Sequence, residues 1–140
     1  MKQIPVIFWT GTGNTQMMAD AVAEAINAAG AEAVVKNISE ITADEAAGYD
    51  ALALGCPAMG AEVLEECEFE PFFTELESKL AGKKVAIFGS YGWGGSYMQD
   101  WEARVKDAGA TLVADGVLAL GAPDDEAVAK LAEAGKLLAE

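Results

Sequence analysis

The sequence predicts an α/β fold of three layers: a mostly parallel, five-stranded sheet with helices on both faces. Three observations predict it. Short β-branched or apolar runs alternate along the chain with Ala-rich segments in which apolar residues recur at i, i+3 and i+4. Glycines and prolines stand at the junctions, where turns and helix ends need them. A chain of 140 residues, 52% of them hydrophobic and with no repeat, low-complexity tract or linker, buries roughly 68% of its unfolded surface. One domain over residues 1–140 is therefore expected. Alternation of β and α then argues for parallel pairing through right-handed crossovers.

Residues 4–9 form the first expected strand, bounded by Gly11 and Gly13; Pro5 is tolerable because it stands at the strand's beginning. Met18, Ala21, Val22, Ala25, Ile26 and Ala29 then mark one face of a helix that stops at Gly30. Residues 33–37 are the second strand, followed by a short helix over 43–47. The third strand spans 51–55 and is followed by a helix over 69–80. The fourth spans 84–90, with a helix over 97–108 after it. The fifth runs without interruption from 111 to 120, and a last helix covers 124–139 after Pro123.

Nine Lys and Arg against 23 Asp and Glu leave a charge of −14, and there is no histidine. Nucleic acid is excluded as a partner because its affinity rests on cations that neutralise phosphates. An anionic membrane surface is disfavoured for the same reason. Without histidine there is no Ser-His-Asp or Cys-His catalysis and no His-ligated metal. Any chemistry must be carried by something the protein binds. The two cysteines, Cys56 and Cys67, form neither a disulfide framework nor a metal-ligand spacing, which suits a reducing compartment. The first apolar run is six residues long, too short for a signal sequence or a membrane span, so a cytoplasmic location is expected.

In a parallel sheet of this kind ligands sit beyond the carboxyl ends of the strands, which directs attention to three segments. The first is Thr10-Gly11-Thr12-Gly13-Asn14-Thr15, where glycines free the backbone N–H groups to face an anion at a helix start and threonine and asparagine add donors. It has neither the lysine of a Walker A loop nor the third glycine of a dinucleotide fingerprint, and no Lys or Arg occurs from Gln3 to Val35. Neutral donors alone suit a terminal phosphomonoester; a Gly-rich turn with threonine caps is the alternative. The second is Gly55-Cys56-Pro57-Ala58-Met59-Gly60-Ala61-Glu62, in which Met59 offers a soft wall for a flat ring, or else a core side chain, beside the free backbone of Gly60. The third is Gly89-Ser90-Tyr91-Gly92-Trp93-Gly94-Gly95, whose four glycines set Tyr91 and Trp93 on a loop as a stacking platform.

With the Glu-rich stretch leading to Glu70-Pro71-Phe72-Phe73, with Gly82-Lys83-Lys84-Val85 and with Phe88 ahead of the third segment, these motifs in this order resemble the short-chain flavodoxins over essentially the whole chain. The resemblance implies a flavodoxin-like sandwich of strand order 2-1-3-4-5. It also implies non-covalently bound FMN and a low-potential one-electron carrier, not an enzyme, cycling between semiquinone and hydroquinone. It places the FMN phosphate on Thr10, Thr12, Asn14 and Thr15 with the backbone of Gly11 and Gly13, and Trp9 near the ribityl chain. Met59 is implied on the inner face of the ring and Trp93 on the outer, within a site that includes Ala58, Ser90, Tyr91, Gly92 and Gly94. Glu62 is implied to accept from the ring N3–H, and Gly60 to supply a peptide that reorients on reduction. Pro57 stands where some members have serine, and Ala61 where several have an acidic or hydroxyl residue.

The partners the resemblance implies are redox enzymes with basic docking patches, such as ferredoxin- or flavodoxin-dependent oxidoreductases and reductases, met by a monomer. Glu62, Glu65, Glu66, Glu68 and Glu70 put five carboxylates in nine residues, which is either a solvated face or an acidic rim that steers docking. Cys56 reads as a small buried hydrophobe, and Cys67 has no assigned role. Two other classes share the topology. A receiver domain needs carboxylates after the first strand, where Trp9-Thr10-Gly11 stand. An FMN-dependent enzyme or quinone reductase needs room for a second substrate.

Overall fold

The computed structural model describes residues 2–11, 13–58, 64–91 and 96–140. Its elements in chain order are β1 (Gln3–Phe8), α1 (Asn14–Ala28), β2 (Glu32–Asn37), a 3-10 turn (Ile38–Glu40), α2 (Ala43–Ala46), β3 (Ala51–Gly55) and α3 (Phe69–Glu77). β4 (Lys84–Tyr91), α4 (Ser96–Asp107), β5 (Thr111–Leu112), β6 (Val117–Leu120) and α5 (Asp125–Ala139) complete it. The strands pair in the order β2-β1-β3-β4-β5, with β6 also on β4, and every pair is parallel.

The fifth strand is not continuous. β5 pairs with Lys84 and Val85, β6 with residues 88–91, and the chain leaves the ladder between them. Gly116 explains the break. Its N–H donates to the Glu102 carboxylate of α4 at 2.7 Å, and a Cβ there would meet the Met98 sulfur at 2.3 Å. The expected single strand is therefore two segments joined by a jog of four residues, 113–116, that contains Asp115-Gly116 and lies against α4.

Alternation along the strands divides the core in two. Ile7, Leu52, Leu54, Val85 and Ile87 face α3 and α4, where Phe69, Phe72, Phe73, Tyr97 and Trp101 fill the layer. The Trp101 ring receives Phe69 and Phe73 edge-on, at interplanar angles of 86° and 89°. Ile4, Val6, Phe8, Ala53, Ala86, Phe88 and Val117 face α1 and α5, where alanines dominate. Small residues bring those two helices close: a Cβ on Gly135 of α5 would stand 2.7 Å from the Val22 carbonyl oxygen of α1.

Register carries this layering to the site. Phe8 lies beside Asn37 and Gly55, Gly55 beside Phe88, and Tyr91 beside Leu120, so the strands end along one edge. The three segments singled out from sequence all leave from that edge.

Candidate functional site

β1 stays in the sheet one residue past its end, because the Trp9 N–H still donates to the Gly55 carbonyl at 3.0 Å. The chain then turns on Thr10, whose Oγ1 accepts from the Gly13 N–H at 2.9 Å. Gly13 adopts φ 92°, a left-handed conformation that glycine enters without strain, and α1 begins at the next residue. The N-cap residue is itself a glycine, and the first turn of the helix holds no carboxylate. Thr15 is 1% exposed, and Asn14 is half-buried. The result is a turn of neutral donors at the positive end of a 15-residue helix.

Trp9 folds forward over this turn. A Cβ at Gly11 would stand 3.2 Å from the Trp9 ring carbon Cη2 and 3.3 Å from Cζ3, so the loop backbone lies against the indole. At the other side of the ring, Nε1–H donates to Glu68 Oε1 at 3.2 Å.

The second segment is fixed from both sides. Gly55 has no room for a Cβ, which would meet the Phe88 ring at 2.2 Å. The Cys56 N–H donates to the Phe88 carbonyl at 3.1 Å and the Ala58 N–H to the Ser90 carbonyl at 2.9 Å. The Tyr97 hydroxyl donates to the Cys56 carbonyl at 2.9 Å. Burial pushes the Cys56 thiol up to about 12, against a hydrogen bond from the Glu65 N–H and with the Glu65 and Glu70 charges adding to the rise. That thiol stays protonated, as a small hydrophobe should, whereas Cys67 is exposed.

The acidic run is not a uniform solvated rim. Glu65 is 5% exposed, and its carboxylate accepts from the N–H groups of Cys67 at 2.8 Å, Glu68 at 2.6 Å and Phe69 at 2.9 Å, closing the N-terminus of α3. Burial works to raise its pKa, but the N–H bonds from Phe69, Glu68 and Cys67 outweigh it and hold the group below the usual carboxylate range. Glu70 makes a bidentate pair with Arg104 at 2.7 and 2.9 Å, and Arg104 also meets Glu77 at 3.1 Å and lies 4.7 Å from the Phe73 ring centre. The Arg104 guanidinium lowers the Glu70 pKa against the effect of burial, with help from Thr74.

The third segment begins inside β4 rather than after it: Gly89, Ser90 and Tyr91 are strand residues. A Cβ at Gly89 would stand 2.1 Å from both the Cys56 carbonyl oxygen and the Tyr97 hydroxyl, so this glycine admits a neighbouring element instead of shaping a loop. The Ser90 hydroxyl donates to the Gly121 carbonyl at 2.9 Å, and Tyr91 is half-buried against the aromatic layer. Of the residues predicted for the site, Trp9, Thr10, Gly11, Gly13, Asn14, Thr15, Ala58, Ser90 and Tyr91 gather at the carboxyl edge of β1, β3 and β4. Thr12, Met59, Gly60, Glu62, Gly92, Trp93 and Gly94 lie outside the described residues. Sequence reasoning missed the individual roles of Glu65, Glu68 and Tyr97. Glu65 lies ahead of the N-cap residue Glu68 and matches no capping pattern, so nothing in the sequence separates it from its acidic neighbours.

The Flavodoxin family model matches residues 6–135 of this chain. The chain is 46% identical over 135 residues to a flavodoxin of Clostridium beijerinckii, covering 96% of itself and 97% of that protein. It is 46% identical over 116 residues to a flavodoxin of Megasphaera elsdenii, covering 82% and 85%. The solution structure of two-electron reduced Megasphaera elsdenii flavodoxin superposes with a TM-score of 0.89 at 42% identity, covering 97% of this chain and 98% of that one.

Proposed function

Since this chain belongs to the flavodoxin family, it is an FMN-binding electron carrier, and we propose that the turn at the start of α1 is where it holds the FMN phosphate. The observation that carries the assignment is the neutral helix start: Gly13 in the left-handed region, Thr10 Oγ1 on its N–H, and no carboxylate in the first turn of α1. A phosphate dianion fits donors of this kind because the helix dipole and the N–H groups favour it and no acid competes.

In this reading Thr10, Thr12, Asn14 and Thr15 donate to phosphate oxygens beside the backbone of Gly11 and Gly13, and Trp9 borders the ribityl chain. Met59 and Trp93 enclose the ring, Glu62 accepts from its N3–H, Gly60 provides the peptide that reorients on reduction, and Ala58, Ser90, Tyr91, Gly92 and Gly94 shape the rim. FMN supplies the one-electron chemistry. The protein's residues bind and orient it, exclude water from its faces and set the charge around it. Carboxylates close to the ring oppose added negative charge, which lowers the potential of the more reduced couple.

Partners are redox enzymes that present basic patches, drawn by the net charge of −14. Because Glu65 and Glu70 are engaged internally, the exposed Glu66 and Glu68 contribute more of that field than a count of five carboxylates suggests. The chain works as a single domain, as a monomer and in the cytoplasm. Among the described residues no helix is long and apolar enough to cross a membrane.

Titrating apoprotein with FMN and following flavin fluorescence tests the assignment. Thr10→Ala and Thr15→Val should each weaken binding, while riboflavin, which has no phosphate, should bind all three proteins alike. Equal FMN affinity in wild type and both variants would remove the phosphate from this turn.

A further inference from the structure

The Trp9 indole is held at two points by groups far apart in sequence. Its six-membered ring lies against Gly11, and its Nε1–H donates to Glu68 Oε1 at 3.2 Å across 59 residues. Glu68 stands at the N-cap of α3, and its own N–H donates to the buried Glu65 carboxylate at 2.6 Å. A path of direct contacts therefore runs from Glu65 through Glu68 and the indole to the backbone of Gly11. Rotating the indole away from Gly11 would break the bond to Glu68.

We propose that Glu68 is a positioning residue for the cofactor turn: by fixing the Trp9 ring against Gly11, it holds the turn's backbone in its anion-binding geometry. The proposal rests on the reading that Trp9 and Gly11 border FMN. Its signature separates geometry from charge. Glu68 is an anion near the site of another anion, so by charge alone any neutral replacement should tighten FMN binding. By position, only a replacement that still accepts from the indole should preserve binding.

The experiment uses apoprotein carrying Glu68→Ala, Glu68→Gln, Trp9→Phe, or Trp9→Phe with Glu68→Ala. The NMR signal of the Trp9 indole N–H, assigned by its disappearance in Trp9→Phe, should move upfield in Glu68→Ala and stay hydrogen-bonded in Glu68→Gln. FMN affinity should fall about fivefold in Glu68→Ala, the size of one net hydrogen bond, and should not fall in Glu68→Gln. Adding Glu68→Ala to Trp9→Phe should cost nothing more. An indole signal that does not respond to Glu68→Ala overturns the proposal, as do Ala and Gln variants that both bind FMN more tightly. If the signal moves but the affinity holds, the bond serves only the fold, and the FMN site reading stands. If Trp9→Phe binds FMN as wild type does, the placement of Trp9 beside the cofactor fails, and the proposal fails with it.

Discussion

The helices α1 and α3 both begin near the carboxyl edge of the sheet, and their N-termini are treated in opposite ways. α3 is closed by one of the protein's own acids: the Glu65 carboxylate takes the N–H groups of residues 67, 68 and 69. α1 begins after a left-handed glycine, with no acid in its first turn. α2 and α5 resemble α3, with Thr42 and Asp124 as caps and acids in their first turns, whereas α4, like α1, has no acid in its first turn. A helix start filled by an internal carboxylate has no use for an external anion. In a chain with 23 acidic residues, the start of α1 combines an acid-free first turn with a left-handed glycine and the Thr10 hydroxyl on that glycine's N–H, and this combination suits an anion.

The comparison breaks most visibly at Glu65. Glu65→Ala leaves three backbone N–H groups at the start of α3 without their acceptor. Unfolding by urea should show a loss of about 3 kcal/mol, at the high end for a single buried acceptor. The effect should depend on pH with a definite sign. Because the folded-state pKa of Glu65 lies below its ordinary value, its contribution is present above the usual carboxylate range and disappears as pH falls through the folded-state pKa. Glu70, lowered by Arg104, acts in the same direction. Wild type should therefore lose stability in acid, and Glu65→Gln should flatten part of that profile. A variant whose acid midpoint equals that of wild type would show that Glu65 carries none of it.

The two helix starts differ in how far sequence could reveal them. The turn at α1 was legible because it is local: glycines, threonines and an asparagine lie between a β-branched run and a helical period, and each residue type has its own reason to be there. The cap on α3 was not. Glu62, Glu65, Glu66, Glu68 and Glu70 are alike in sequence, and what separates them is tertiary: Cys56 under one, Trp9 beside another, Arg104 across from a third. The same distinction explains the fifth strand. Read as one strand, it passes over Asp115-Gly116, a turn signal within the run, and the carboxylate of Glu102 and the sulfur of Met98 on α4 show what that turn packs against. Gly89 was legible as a glycine that mattered, but not as one making room for Tyr97.

The α1 side of the comparison is sharpened by Gly13→Ala. With φ at 92°, an L-residue pays roughly 1–2 kcal/mol, measurable as a lower urea midpoint of the apoprotein. The same change at Gly82, at φ 81° with nothing near its Cβ position, should cost stability similarly but leave FMN affinity alone. If both variants bind FMN equally well, the conformation of Gly13 serves the chain turn and not the ligand.

The smallest change makes the most direct use of the contrast, by giving α1 what α3 already has. Gln16 is exposed in the first turn of α1, and Gln16→Glu adds a carboxylate at the positive end of the helix without disturbing the core. The helix dipole then gains about 0.5 kcal/mol, so the apoprotein should unfold at slightly higher urea. The same charge faces the phosphate dianion, so FMN affinity should fall about fivefold, and the loss should shrink as salt screens it. A structural role for this turn predicts only the first effect, and a general acidification of the surface predicts neither with this pattern. Opposite signs in the two measurements therefore identify the start of α1 as a place where the protein forgoes helix stability to leave room for an anion, and equal signs would mean that the phosphate binds elsewhere.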